Sequence, residues 1–130
     1  MTRPIPQPDE LTTPFWEACA RGTLQVQECQ ECGTIFFPPA ELCISCLSPK
    51  VRWRPCSGRG TIYSFTVIRR APLQDIDVPA VLAIVELDEG CAMYSNVIDC
   101  DPDSVRIGMH VAVHFQRISE DVALPLFRPI

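Results

Sequence analysis

Cys29, Cys32, Cys43 and Cys46 form two Cys-x-x-Cys pairs separated by ten residues, the strongest chemical signal in the chain. A Cys-x-x-Cys turn aims two thiolates at one point. Two such turns supply the four sulfurs of a tetrahedral Zn(II) site, whose closed shell builds structure and leaves no open position for a substrate. Iron in a four-thiolate site fits the same spacing, and two disulfides or four separate core thiols are the bland alternatives. Gly33 follows the first pair, where a turn calls for positive φ, whereas Leu47 follows the second.

Other residues with chemical potential are poorly arranged for catalysis. Cys19, Cys56, Cys91 and Cys100 lie outside the two pairs, and none has a neighbouring base in sequence to activate it; a small buried hydrophobe is the simpler reading of each. His110 and His114 would share the face of a strand but stand about 13 Å apart, from four steps of about 3.3 Å, too far for one metal ion. Asp75, Asp77, Asp88, Glu89, Asp99, Asp101 and Asp103 fall mostly in turns, where Asp serves as a cap or turn former. Gly58-Arg59-Gly60 lacks the third glycine and following helix of a dinucleotide fingerprint, and no phosphate-cradling loop is present.

The elements that must position the cysteines can be read in order. Residues 2–8, with Pro4, Pro6 and Pro8, form an extended arm. A helix is expected next, with Thr13 as cap, Pro14 first, Glu17 in the first turn and Gly22 as terminator. Phe15, Ala18 and Cys19 share one face. So short a helix needs packing, and its pair Phe15 and Trp16 either covers the ribbon or offers a surface to a partner. Leu24 and Val26 alternate with Gln25 and Gln27 as a strand into the first cysteine pair; Pro38 and Pro39 end the next strand, and Val51 and Trp53 alternate with Arg52 and Arg54 after the second pair. The texture changes after Gly60. Five strands follow, at about 61–70, 80–87, 91–98, 110–117 and 122–127, with a loop holding Pro72 and Pro79, a hairpin turn at Asp88-Glu89-Gly90 and a helical turn at Asp101-Pro102. This is the order of an OB-fold, a five-stranded partly open barrel. The expected class is therefore mainly β: an arm and helix over 1–22, a zinc ribbon over 23–57 and an OB-fold over 58–130.

Composition narrows the function. The 130 residues are 47 % hydrophobic and 21 % charged, as in a globular protein. The net charge of −5 opposes binding to phosphate backbones. Tyr63, Phe65 and Tyr94 could stack bases on the barrel, but between Gly60 and Ile130 the basic residues are only Arg69, Arg70, Arg106, Arg117 and Arg128, with no lysine. A single-stranded nucleic-acid module is thus poorly supported. Neither a secretory leader nor a membrane-spanning run is read in the sequence, so a cytoplasmic protein with reduced thiols is expected.

Several stretches together resemble the acyl-CoA-associated zinc-ribbon/OB-fold family. They are Phe15-Trp16-Glu17, Gly22-Thr23-Leu24, the Cys-x-x-Cys-Gly knuckle with Phe37-Pro38-Pro39, Gly58 to Ser64, Val85 to Gly90, Ile107-Gly108-Met109 and Leu124 to Pro129. The resemblance covers nearly the whole chain from Phe15 and implies a rubredoxin-like ribbon and an OB-fold acting as the small, noncatalytic partner of thiolase-superfamily enzymes. Such partners include thiolases and steroid side-chain aldolases; some members bridge a thiolase to hydroxymethylglutaryl-CoA synthase, and others sit beside an acyl-CoA hydratase. The family's metal ligands fall on Cys29, Cys32, Cys43 and Cys46, Leu47 departs from its second knuckle glycine, and no catalytic residue carries over. If an acyl-CoA ligand is shared with the partner, Arg59, Arg69 and Arg70 are the candidates for its phosphates.

Overall fold

The computed structural model describes residues 4–71 and 77–130. Thr2 of the arm, Pro72 and Asp75 lie outside the described residues. Ten elements follow one another: α1 (Thr13–Ala20), β1 (Gln25–Cys29), β2 (Ile35–Phe36), β3 (Val51–Pro55), β4 (Arg59–Ile68), β5 (Ala80–Leu87), β6 (Ala92–Val97), a 3-10 turn (Pro102–Ser104), β7 (His110–Arg117) and β8 (Ala123–Pro129).

The helix starts one residue earlier than expected. Asp9 Oδ1 accepts from the Thr12 amide at 2.8 Å and from its hydroxyl at 3.0 Å, so Thr12 takes the cap position with its side chain turned back to Asp9. Thr13 and Pro14 become the first two helical residues, where an absent N–H costs nothing. Glu17 consequently falls beyond the first turn. The helix ends as expected: Gly22, at φ 83°, donates to the Cys19 carbonyl, and Thr23 donates to that of Ala18, the paired bonds of a Schellman motif. Two turns are too few to persist alone; burial of Phe15, Ala18 and Cys19 holds α1 in place.

β1, β2 and β3 form an antiparallel sheet in the order β2-β1-β3. Its exposed side is strapped by Glu28, which accepts from Arg52 Nε at 2.9 Å and Nη2 at 2.6 Å and from Arg54 Nη1 at 3.3 Å. The Arg52 hydrogen bond and charge hold the Glu28 carboxyl below its usual range. On the other side, Gln27 Oε1 accepts from the Ala40 amide at 2.7 Å and ties the loop after β2 to the sheet.

The five remaining strands close a barrel in the order β4-β5-β6-β8-β7, with β7 returning to β4. Closure is completed by a parallel pairing of β6 with β8 at Val97 and Phe127. The 3-10 turn lies between β6 and β7, capped by Asp101, whose carboxylate accepts from the Asp103 amide at 3.0 Å. β4 does not alternate strictly along its length. A bulge between Ile62 and Ser64 inserts Tyr63 into the ladder, so Phe65 pairs with buried Ala83 and Val67 with buried Val81. One extra residue reverses the faces of everything after it. Phe65 and Val67 thereby join Ile62 against the core, and Tyr63 is left outside, 61 % exposed.

One hydrophobic core runs through helix, ribbon and barrel, joining Phe15, Cys19, Leu24 and Val26 to Ile62, Val85, Val111 and Phe127. Cys29, Phe36 and Cys43 form a second, small cluster at the far end of the ribbon. The junction between ribbon and barrel is bonded on several sides. The Cys56 amide donates to the Leu24 carbonyl at 2.7 Å, the Ser57 amide to Glu89 Oε2 at 2.8 Å, and the Asp88 amide to the Arg59 carbonyl at 3.0 Å. Gly60 sits against β5 so closely that an added Cβ would lie 2.6 Å from the Glu86 carbonyl oxygen and 2.7 Å from Val85 Cγ1.

Candidate metal centre

The two knuckles are built alike. Gly33 at φ 78° donates its amide to the Cys29 carbonyl at 3.0 Å, and Leu47 at φ 63° donates to the Cys43 carbonyl at 3.0 Å. The left-handed conformation therefore survives the change from glycine to leucine. β1 delivers Cys29 at its end, the turn delivers Cys32, and the loop before β3 supplies Cys43 and Cys46.

The four Sγ atoms lie within 4.8 Å of one another, with Cys29 to Cys46 at 3.6 Å and Cys32 to Cys43 at 3.5 Å. A tetrahedron with metal–sulfur bonds of about 2.3 Å has edges of about 3.8 Å, so the cluster has the size a zinc ion needs. Donors converge on the sulfurs: the Cys32 amide on Cys29 Sγ at 3.5 Å, the Ser45 amide on Cys43 Sγ at 3.3 Å, and the Thr34 hydroxyl at 3.1 Å from Cys32 Sγ. Thr34 is the main reason that the Cys32 thiol is brought down to about 6. The Cys32 amide likewise lowers Cys29. At Cys46 the Ser48 amide favours the thiolate, but burial and the sulfurs of Cys29, Cys32 and Cys43 outweigh it and push the thiol up to about 12. Sulfurs this crowded share negative charge badly, and a divalent cation at their centre would let all four ionise. The donor set thus fits a thiolate-bound metal.

The remaining cysteines sit in different surroundings. Burial pushes Cys19 up to about 12, and burial with the nearby Glu89 charge does the same to Cys56. Both are held as thiols, inert as nucleophiles at neutral pH. His110 and His114 stand four positions apart on β7, as the sequence spacing implies.

Phe15 and Trp16 meet edge to face, with ring centroids 5.0 Å apart, and Phe15 also packs on Phe37 at 5.2 Å. Phe15 is buried in the main core, whereas Trp16 is half-buried at the rim of a groove between helix, ribbon and barrel. That groove holds adjoining cavities of about 450 and 240 Å³, lined by Phe37, Pro38, Ile84, Met93, Tyr94 and Pro125 among others. Sequence reading did not find it. The alternation in β6 could have placed Tyr94 outward, but Phe37 reaches the barrel only through the tertiary docking of the ribbon. Arg59 and Arg69 flank the two ends of β4, roughly 30 Å apart by the rise of an extended strand. Arg69 pairs with Asp103 at 3.0 Å, and Arg70 is exposed. The three arginines do not gather round one phosphate.

Residues 16–52 match the family model described as the ChsH2 rubredoxin-like zinc ribbon domain, and residues 53–116 match that of the ChsH2 C-terminal OB-fold domain. The chain belongs to this zinc-ribbon and OB-fold family. A DUF35 domain-containing scaffold protein of Methanocaldococcus jannaschii is 39 % identical over 95 residues, covering 72 % of this chain and 67 % of the relative. A probable enoyl-CoA hydratase alpha subunit of Thermomonospora curvata is 34 % identical over 116 residues, covering 88 % of this chain but 36 % of the relative. The chain thus spans about a third of that subunit's length. Among solved structures, a chain of an Ltp2-ChsH2(DUF35) aldolase superposes with a TM-score of 0.87 at 31 % identity, covering 95 % of this chain and 98 % of that one.

Proposed function

We propose that this protein is a noncatalytic, zinc-binding accessory subunit that completes or stabilises a thiolase-like enzyme acting on acyl-CoA thioesters. The observation that carries the reading is the likeness, end to end, to a chain of the Ltp2-ChsH2 aldolase. In this reading Zn(II) sits among Cys29, Cys32, Cys43 and Cys46 as a folding device, and iron would fill the same four-thiolate shell. The carbon–carbon bond chemistry belongs to the partner's own residues. The thiols outside the cluster support this division, since buried Cys19 and half-buried Cys56 are held protonated. Trp16, at the rim of the apolar groove, is the surface member of the aromatic pair proposed to meet the partner, with Phe15 supporting it from beneath. Arg59, Arg69 and Arg70, all exposed, are the cations proposed to meet a shared acyl-CoA, Arg69 also pairing with Asp103. A reducing, cytoplasmic setting suits an unoxidised four-thiolate site.

The match to a hydratase alpha subunit favours a second form of the same role, a scaffold holding a thiolase-like enzyme beside an acyl-CoA hydratase. Affinity purification of the full chain from its native host, with identification and assay of the co-eluting protein, tests both. The expected result is a stable complex with an acyl-CoA enzyme, and no turnover by the purified chain alone. Full aldolase or thiolase activity from the isolated chain would overturn the proposal.

A further inference from the structure

The second cysteine knuckle carries a cost that nothing among the described residues explains. Leu47 occupies the left-handed region at φ 63°, where a branched side chain is disfavoured, and its counterpart in the first knuckle is glycine. A Cβ at Gly33 would meet nothing within 4 Å, so the backbone conformation alone accounts for the glycine there. Leu47 accepts the disfavoured backbone and then leaves its side chain 69 % exposed. Ile44 is 65 % exposed and Leu42 46 %, on the same short loop, which closes on itself through the Leu47 to Cys43 and Cys43 to Ser48 backbone bonds. Three large aliphatic side chains are thereby held out from one rigid tip. Between positions 40 and 49 the only charged side chain is Glu41, and the following Lys50 is engaged by Glu31 at 3.5 Å.

We infer that this knuckle is a docking knob that seats in an apolar hollow with a basic rim on the acyl-CoA enzyme served by this chain; the inference rests on that functional reading. The aliphatic tip sets the hollow's lining, and Glu41 sets the sign of its rim. Strain at Leu47 is then offset only in the complex.

The test titrates the acyl-CoA enzyme that co-purifies with the full-length, metal-loaded wild type against wild type, Leu47→Gly, Ile44→Ser and Glu41→Lys. Leu47→Gly is expected to weaken binding roughly tenfold to a hundredfold, the loss of one buried leucine. In the same variant the metal content should stay unchanged and the melting temperature stay level or rise, because glycine accepts the left-handed backbone. Ile44→Ser should weaken binding similarly. Glu41→Lys should slow association at low salt, with the difference fading at high salt. Wild-type affinity in both Leu47→Gly and Ile44→Ser would overturn the inference while leaving the accessory role intact. So would a lowered melting temperature in Leu47→Gly, which would mean the side chain packs within its own chain, or wild-type self-association that Leu47→Gly abolishes. If wild type captures no acyl-CoA enzyme, the functional reading falls, and this one with it.

Discussion

Thr34 governs the most acidic sulfur of the cluster. Its hydroxyl, 3.1 Å from Cys32 Sγ, is the main cause of a thiol brought down to about 6. A lowered pKa keeps the thiolate present to lower pH, so protons displace the metal from Cys32 only under acid conditions. Thr34→Val should raise that pKa and move the pH midpoint of metal release upward by about half a unit, the worth of one modest hydrogen bond. A colorimetric chelator followed across a pH series measures it. An unchanged midpoint would mean that the hydroxyl does not set the affinity. The same ligand set gives a labelling pattern: chelation should open Cys29, Cys32, Cys43 and Cys46 to iodoacetamide at neutral pH. Cys19, pushed up to about 12 by burial in the main core, should stay unmodified until the barrel itself unfolds.

Among the elements, β4 is the one on which ribbon and barrel both depend. Gly60 lies where the strand leaves the junction and presses on β5, and a methyl group there meets backbone, which cannot rotate away. Gly60→Ala should therefore cost about 1–3 kcal/mol, as overpacked sites do, read as a lower urea midpoint with metal content retained; a midpoint equal to wild type would show that β5 yields easily. β4 also illustrates what a sequence conceals. Its length, the strands that follow and the turn capped by Asp101 could all be read from alternation, glycine and proline. The reversal at Tyr63 could not, because both sets of alternate residues in that strand are partly apolar and either register satisfies the pattern. The cap of α1 was equally hidden: Thr12 and Thr13 are chemically alike, and only the reach of Asp9 back to Thr12 decides between them. The clustering of the four cysteines was plain from spacing, whereas the groove was not, since Phe37 and Tyr94 lie far apart in sequence and meet only after the ribbon docks.

The molecule as a whole contains a large core and a small one, and this division decides what the metal supports. Helix, ribbon base and barrel share the first; Cys29, Phe36 and Cys43, with half-buried Ala40 and Val51 against them, make up the second. So small a cluster cannot offset the conformational entropy of β2 and the two knuckles. Removing the metal should melt the ribbon tip and leave the barrel folded. Hydrogen exchange on the chelated chain should show amides of residues 29–50 losing protection while those of β5, β6 and β8 keep theirs; a single loss across the whole chain would refute the division. In a complex with an acyl-CoA enzyme, the expected consequence is dissociation, with the partner's chemical groups intact.

The contact between α1 and the last part of the barrel bears on how the chain is made. Arg117 Nη2 donates to the Ala20 carbonyl at 3.0 Å, across 97 positions of sequence, and α1 rests on β7 and β8. During synthesis the helix segment leaves the ribosome long before the strands that will cover it. The ribbon's cysteines emerge next and can capture metal while Phe15 and Trp16 still lack the barrel. Phe37 and β1 of the ribbon can cover Phe15 early, but the growing chain carries an incompletely covered aromatic pair until β8 is complete, and that interval is when a chaperone, or a partner made alongside it, has its best access.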